Sequence, residues 1–346
     1  MIYKRNITID IFKGIAIMLI ILGHLDTTKL LHDFVFMFHV PAFFFVAGIT
    51  FHMKEGEQFV DFLKKKAYRL LLPYILFTII ISATQVATNL YVVKPGSISY
   101  TFSFRNIFLA ILDILVCGSI EGTVITIGPA WFLYVLFVSS MLLYVCDRIK
   151  ISNITKFCGV IVLYYFSAKT GWLNNLPCKL GQSIAALFFM CCGQLFESKL
   201  TKMSNLKPFA SLMLAFVGML MVLSIAWYLD DTIDMAGNHF PSSLLLATIV
   251  ALVGCMSLYL LSSSIKHWKI NKSIAFYGIN SMLILGLHIP IRNIFRLALS
   301  RMGLSSQQST LPIFIMIMVV SLPLIMVVNK YVPFLVGMKK QKNTLQ

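Results

Sequence analysis

Ten apolar runs punctuate the chain, at roughly 9–25, 34–51, 70–92, 130–146, 157–168, 183–196, 209–229, 244–265, 274–291 and 311–328. A helix needs about 20 apolar residues to cross the hydrocarbon core, and in lipid each backbone polar group must be satisfied inside the protein. Repeated runs of this length therefore predict an all-α, polytopic membrane helix bundle with about ten transmembrane helices. Composition supports this. Of 346 residues, 58% are hydrophobic and only 12% charged, against about 25% charged in soluble domains. The fifth and sixth runs are short, so they must borrow flanking residues or be broken helices. The seven Cys lie in or beside apolar runs without regular spacing, which excludes a disulfide scaffold and marks them as small buried hydrophobes.

The formal charge of +16 raises nucleic acid as a partner, and its distribution removes it. With the N-terminus in the cytoplasm and residues 107–117 lying in the interface or re-entering, twenty of the 29 Lys and Arg residues fall in cytoplasmic segments. An eleventh crossing at 107–117 reverses that sorting for the bases of 147–156. The positive-inside rule thus favours ten crossings with both termini cytoplasmic. The charge faces anionic headgroups across several loops, so the expected partner is the bilayer, with no nucleic acid. No small-residue cleavage site follows the first run, which is expected to be retained. The chain reads as a single membrane domain, 1–346.

Ionisable groups at bilayer depth are costly and usually face a protein-lined cavity. The first run carries Asp10, Lys13 and His24. Eleven residues separate Lys13 from His24, which on a helix returns to within about 20° of the same direction and rises about 16 Å. Two readings fit: Lys13 snorkels to headgroups with Asp10 as its i, i+3 partner and His24 at the helix end, or the three form a polar stripe for a threaded substrate. His39 precedes Pro41 at the start of the second helix, where a proline is tolerated, and Gly48 permits close helix approach. Lys65 and Arg69 stand at i, i+4, suited either to clamping phosphate or to anchoring at headgroups. Trp131 opens the fourth run near the outer interface. Asn280, Ser281 and His288 lie in the ninth, with Ser281 and His288 seven residues apart on one face; interhelical hydrogen bonding explains them equally well. The histidines have neither His-x-x-x-His nor Glu-x-x-His spacing, so no metal is expected.

Taken in order, Asp10 with Lys13-Gly14 and Gly23-His24, Phe38-His39-Val40-Pro41 with the Phe43–Gly48 run, Arg69 with Pro73-Tyr74, Trp131-Phe132-Leu133, and Gly278 with Asn280-Ser281 and His288 resemble the integral-membrane acyltransferase-3 family. The likeness is closest to its short members, the sugar O-acetyltransferases and fucose 4-O-acetylase-like proteins. It implies a bacterial cytoplasmic-membrane enzyme that moves an acetyl group from cytoplasmic acetyl-CoA to a hydroxyl of a cell-surface glycan or lipid-linked sugar. It also implies roles: His24 as the catalytic base, Lys13, Lys65 and Arg69 against the donor, and Asp10, His39, Trp131, Asn280, Ser281 and His288 along the cavity or against the acceptor. Lys at positions 13 and 65 departs from the Arg common in the family, keeping the charge but losing the two-pronged geometry. Some members carry an extracytoplasmic hydrolase-like domain; none is expected here, so the membrane unit is expected to complete the transfer alone or with a separate extracytoplasmic partner. A neutral imidazole can act as base on the acceptor hydroxyl or form a transient acyl-histidine. The rival class is a transporter or flippase whose polar groups line a path without chemistry.

Overall fold

The computed structural model describes residues 6–92, 104–118, 120, 125–149 and 152–339. Lys4, Arg5, Lys94, Lys150, Lys340 and Lys342 of the charge distribution lie outside the described residues, as do 119 and 121–124 of the stretch between Gly118 and Pro129. The described residues form fourteen α-helices in order: α1 Ile7–Gly23, α2 Lys29–Phe36, α3 His39–Ile49, α4 Phe59–Lys66, α5 Leu72–Val92, α6 Phe104–Leu115, α7 Trp131–Arg148, α8 Asn153–Thr170, α9 Leu180–Met203, α10 Pro208–Leu229, α11 Leu244–Ser264, α12 Asn271–Ile279, α13 Ser281–Arg301 and α14 Ser306–Tyr331. Strands are absent among the described residues apart from one isolated bridge, Asp234 with His239. The protein is an all-α, multi-pass membrane protein.

Each of the ten apolar runs coincides with helix. Among the described residues, eight helical stretches are long and apolar enough to cross a bilayer: Lys29–Ile49, Phe59–Thr88, Gly128–Arg148, Leu180–Met203, Pro208–Leu229, Leu244–Ser264, Ser281–Arg301 and Ser306–Tyr331. Helix α1 falls just short with 17 residues, and Lys156 and Lys169 lower the hydropathy of the 18-residue α8. Both lysines are held at the ends of α8, Lys169 Nζ donating to the Ser242 carbonyl at 2.6 Å and Lys156 Nζ lying 3.9 Å from Asp147 Oδ1. The sixth run borrows its flanks to become the 24-residue α9. Helix α6, with 12 residues, spans only about 18 Å, too short to cross a core of about 30 Å.

The breaks fall elsewhere than in the short runs. The second run is split at Met37–Phe38 and the ninth at Asn280. Continuing α2 into α3 requires residue 41 to donate to the Met37 carbonyl, and Pro41 has no N–H and clashes there instead. Pro73 acts the same way on Arg69, and the helix accommodates it by widening into a π-turn over Ala67–Leu71, with the Leu72 N–H donating five residues back to Ala67.

The chain forms two compact units: Met1–Lys54 with Ser139–Leu176 and Leu180–Ser281, and Glu55–Val138 with Pro177–Lys179 and Met282–Gln346. In the first, α1 packs on α12 and α3 on α9. Both contacts bring backbones together at glycine, as expected where lipid leaves packing to drive association. A side-chain carbon at Gly14 would overlap the Ile274 carbonyl oxygen, and one at Gly278 that of Asp10. Gly48 is set likewise against Met190, and Gly193 against Phe45. In the second unit Asp113 is buried and accepts from the Ile120 N–H at 2.8 Å. The Tyr74 and Tyr134 hydroxyls donate to the carbonyls of Ile114 (2.7 Å) and Leu115 (3.0 Å). These bonds secure the end of α6 against α5 and α7.

Candidate functional site

The first unit holds Asp10, Lys13, His24, His39, Asn280 and Ser281, and the second holds Lys65, Arg69, Trp131 and His288. Helix α1 is capped by Asn6, whose Oδ1 accepts from the Thr8 N–H at 3.0 Å, and runs unbroken past Lys13 to Gly23, leaving His24 as its C-cap. Asp10 is buried, while Lys13 and His24 are half-buried, so the eleven-residue register between the last two survives in a continuous helix.

His24 Nδ1–H donates to the Ile20 carbonyl at 2.8 Å. A carbonyl only accepts, so this bond selects the tautomer with the proton on Nδ1 and leaves the Nε2 lone pair as the basic site. His39 repeats the device, donating from Nδ1 to the Val35 carbonyl at 2.8 Å, and so does His288, with the carbonyls of Ile284 (3.1 Å) and Leu285 (2.9 Å). Three histidines named from sequence thus share one protonation geometry.

Phe36 packs between His39 and the end of α1 that carries His24. The Phe36 ring stands 3.0 Å from where a Gly23 side-chain carbon would be and meets the His39 ring edge-on at 4.7 Å. Both His24 and His32 lie within electrostatic reach of His39. The sequence reading missed His32 and Asp33, which fall just ahead of the second apolar run. His32 stacks on Phe36 at 4.0 Å, and its Nδ1–H donates to Asp33 Oδ1 at 3.2 Å. Asp33 Oδ2 accepts from Lys29 Nζ at 2.6 Å, and Lys29 also pairs with Asp230 at 2.5 Å. The available signal was the helix cap: Thr28, whose Oγ1 accepts from the Leu31 N–H, opens a short amphipathic helix that carries Lys29, His32 and Asp33.

Asn280 sits at the break between α12 and α13, buried, with Nδ2 donating to the Phe276 carbonyl at 2.8 Å. Ser281, half-buried, begins α13. The Gly278 contact places this break close along the chain from the backbone of Asp10.

In the second unit, Lys65 Nζ pairs with Glu57 Oε1 at 3.0 Å and lies 5.7 Å over the Phe62 ring. Lys66 caps the same ring at 5.4 Å. Arg69 is exposed and lies within the π-turn, so its bearing relative to Lys65 is not that of an ordinary i, i+4 pair. The turn is braced from the C-terminal side: Gly337 has a positive φ of 64°, and a side chain there would come within 2.7 Å of the Arg69 Cα. The Tyr68 hydroxyl donates to the Met338 carbonyl at 3.3 Å. Trp131, half-buried, begins α7 after the Gly128–Ala130 turn. His288 is fully buried. Burial pushes the Cys117 thiol up to about 12, so it stays protonated at neutral pH and is unsuited to attack an acyl group.

A family model described as an acyltransferase domain matches residues 6–330. No curated protein and no solved structure matches the chain. The family match takes in α1 through nearly all of α14 and with them each of the sites above. The chain therefore belongs to the acyltransferase-3 family and is a multi-pass membrane acyltransferase.

Proposed function

We propose that this acyltransferase is an O-acetyltransferase of the bacterial cytoplasmic membrane, taking the acetyl group from cytoplasmic acetyl-CoA and placing it on a hydroxyl of a cell-surface glycan or lipid-linked sugar. The observation that carries the reading is the 2.8 Å bond from His24 Nδ1–H to the Ile20 carbonyl, which leaves Nε2 as a proton acceptor. In the proposed step, Nε2 takes the proton from the acceptor hydroxyl as its oxygen bonds to the thioester carbonyl carbon. The C–S bond then breaks, and Nε2–H returns the proton to the departing CoA thiolate. Atoms and charge balance without a metal or a further reactant.

Donor binding falls to the basic groups. Arg69 and Lys65, with Lys66 beside them, offer charge to the nucleotide phosphates of CoA, and Lys13 offers a cation on the helix that ends in His24. His39, within electrostatic reach of His24, orients the imidazole or meets the acceptor. Asp10, Asn280, Ser281 and His288 supply buried or half-buried polar groups for the substrate path, and Trp131 a ring for stacking on a sugar. A transporter or flippase would use such groups without chemistry, a reading that membership of an acyltransferase family does not favour.

The test uses purified protein in lipid nanodiscs with acetyl-labelled CoA and an envelope glycan and glycolipid extract as acceptor. Loss of a positioned general base costs about 10²- to 10⁴-fold. His24→Ala is expected to lose transfer by at least about 10²-fold while keeping its elution volume and thermal unfolding midpoint. Transfer at the wild-type rate by that variant removes His24 from the role.

A further inference from the structure

A polyhydroxylated acceptor also needs a hydrogen-bonding partner close to the base, to set which of its hydroxyls meets it. We propose that His32 is that partner: the His32–Asp33 pair on α2 presents Nε2 of His32 as a hydrogen-bond acceptor for a second hydroxyl of a polyhydroxylated substrate, beside the imidazoles of His24 and His39. The inference rests on the acyl-transfer reading and adds an acceptor-binding residue to it.

The geometry points to His32 in three ways. Asp33 is buried, and its Oδ1 accepts from His32 Nδ1–H at 3.2 Å. A carboxylate in that position holds the proton on Nδ1 and aims the Nε2 lone pair away from itself. Asp33 is held in turn by Lys29 at 2.6 Å, and Lys29 reaches Asp230 at 2.5 Å, so α2 is tied to the end of α10. The His32 ring is stacked on Phe36 at 4.0 Å with 22° between planes. Phe36 is the ring that touches His39 and covers Gly23, so His32 is fixed beside the end of α1, where His24 is the next residue. Finally, the His32 side chain remains 39% exposed whereas Asp33 is 9% exposed. The pair therefore buries its carboxylate and leaves its imidazole within reach of a ligand. A purely structural ion pair has no need of that asymmetry. His32 pairs with Asp33 on its own helix, Asp33 in turn with Lys29 and Lys29 with Asp230, and His39 on α3 lies within electrostatic reach of His32.

Two isosteres separate this role from a structural one. A Gln side chain extends as far as imidazole Nε2, whereas Asn extends only as far as Nδ1. In lipid nanodiscs with acetyl-labelled CoA, transfer is measured while the envelope glycan and glycolipid extract is titrated, and separately while acetyl-CoA is titrated. Removing one substrate hydrogen bond costs about tenfold in affinity. His32→Ala and His32→Asn are expected to raise the half-saturating extract concentration about tenfold and to move that for acetyl-CoA by less than about twofold. His32→Gln is expected to return the extract value to within about threefold of wild type. Rescue by Asn and not Gln assigns His32 a structural role through Asp33 and overturns the proposal. So does an unchanged extract dependence in all three variants, or an equal shift for donor and extract. If His32→Ala fails to fold, the contrast between Asn and Gln decides alone. Failure of the underlying reading looks different: wild-type protein then neither transfers acetyl to the extract nor hydrolyses acetyl-CoA, and both proposals fall together.

Discussion

At His24 a helix end becomes a chemical device. Because α1 stops at Gly23, the imidazole at the C-cap can turn back to the Ile20 carbonyl, and this second bond to an oxygen that already accepts the His24 N–H at 3.2 Å orients a base. His39 and His288 use the preceding turn of their own local backbone in the same way. The donor side obeys simpler electrostatics. Lys65 is partly neutralised by Glu57, and Arg69 is exposed with its planar fork available to phosphate. Arg69→Ala is accordingly expected to raise the half-saturating acetyl-CoA concentration about tenfold, with a smaller rise for Lys65→Ala and no change in the extract titration. Equal effects on both substrates would place these residues outside donor binding. The positions of Asp10, Lys13, His24 and His39 were legible in the sequence because charge and imidazole are conspicuous in apolar runs. His32 and Asp33 were not, since a polar pair at the edge of a run looks like an ordinary loop until its contact with Phe36 is known.

Among the elements, proline and glycine decide the local geometry. The π-turn at Ala67–Leu71 follows from Pro73, which denies a donor to the Arg69 carbonyl. Pro73→Ala restores that donor. It is expected to keep or raise the thermal unfolding midpoint while turning Arg69 and weakening acetyl-CoA binding, in titrations run beside Arg69→Ala. The α1–α12 contact makes the opposite demand. At Gly278 any side chain meets the Asp10 carbonyl, and overpacking of this kind costs about 1–3 kcal/mol or more. Gly278→Leu is expected to lower the unfolding midpoint in detergent, whereas Gly56→Ala, where nothing lies within 4 Å, tests only the cost of a positive φ. A Gly278→Leu protein as stable as wild type would remove the backbone contact from the packing account. Sequence marked Gly48 as a site of close approach, and the structure supplies its partner, Met190. Periodicity also placed α9 and α8 but not the interruptions at Met37–Phe38 and Asn280, because an apolar run reads the same whether its helix is continuous or broken.

For the whole molecule, the proposed orientation places both termini in the cytoplasm and the 230–243 connection outside. With the seven natural cysteines replaced by alanine or serine, single cysteines at Lys64, Lys202 and Lys339 are expected to react with a membrane-impermeant maleimide only in inside-out vesicles. One at Gly237, exposed in the loop, is expected to react only in intact cells. Labelling of Lys202 and Gly237 from the same side would break the orientation. Sequence alone determined that this chain lives in a bilayer, which segments become helix, and that Lys13 and His24 share a face of α1, because hydropathy, run length and helical period are properties of contiguous residues. Only the tertiary structure decided which runs are broken, that glycines bring α1 to α12 and α3 to α9, and that Phe36 packs on His32 and His39 beside Gly23 at the end of α1. Those outcomes depend on contacts between residues far apart in the chain, whose energies no local pattern encodes.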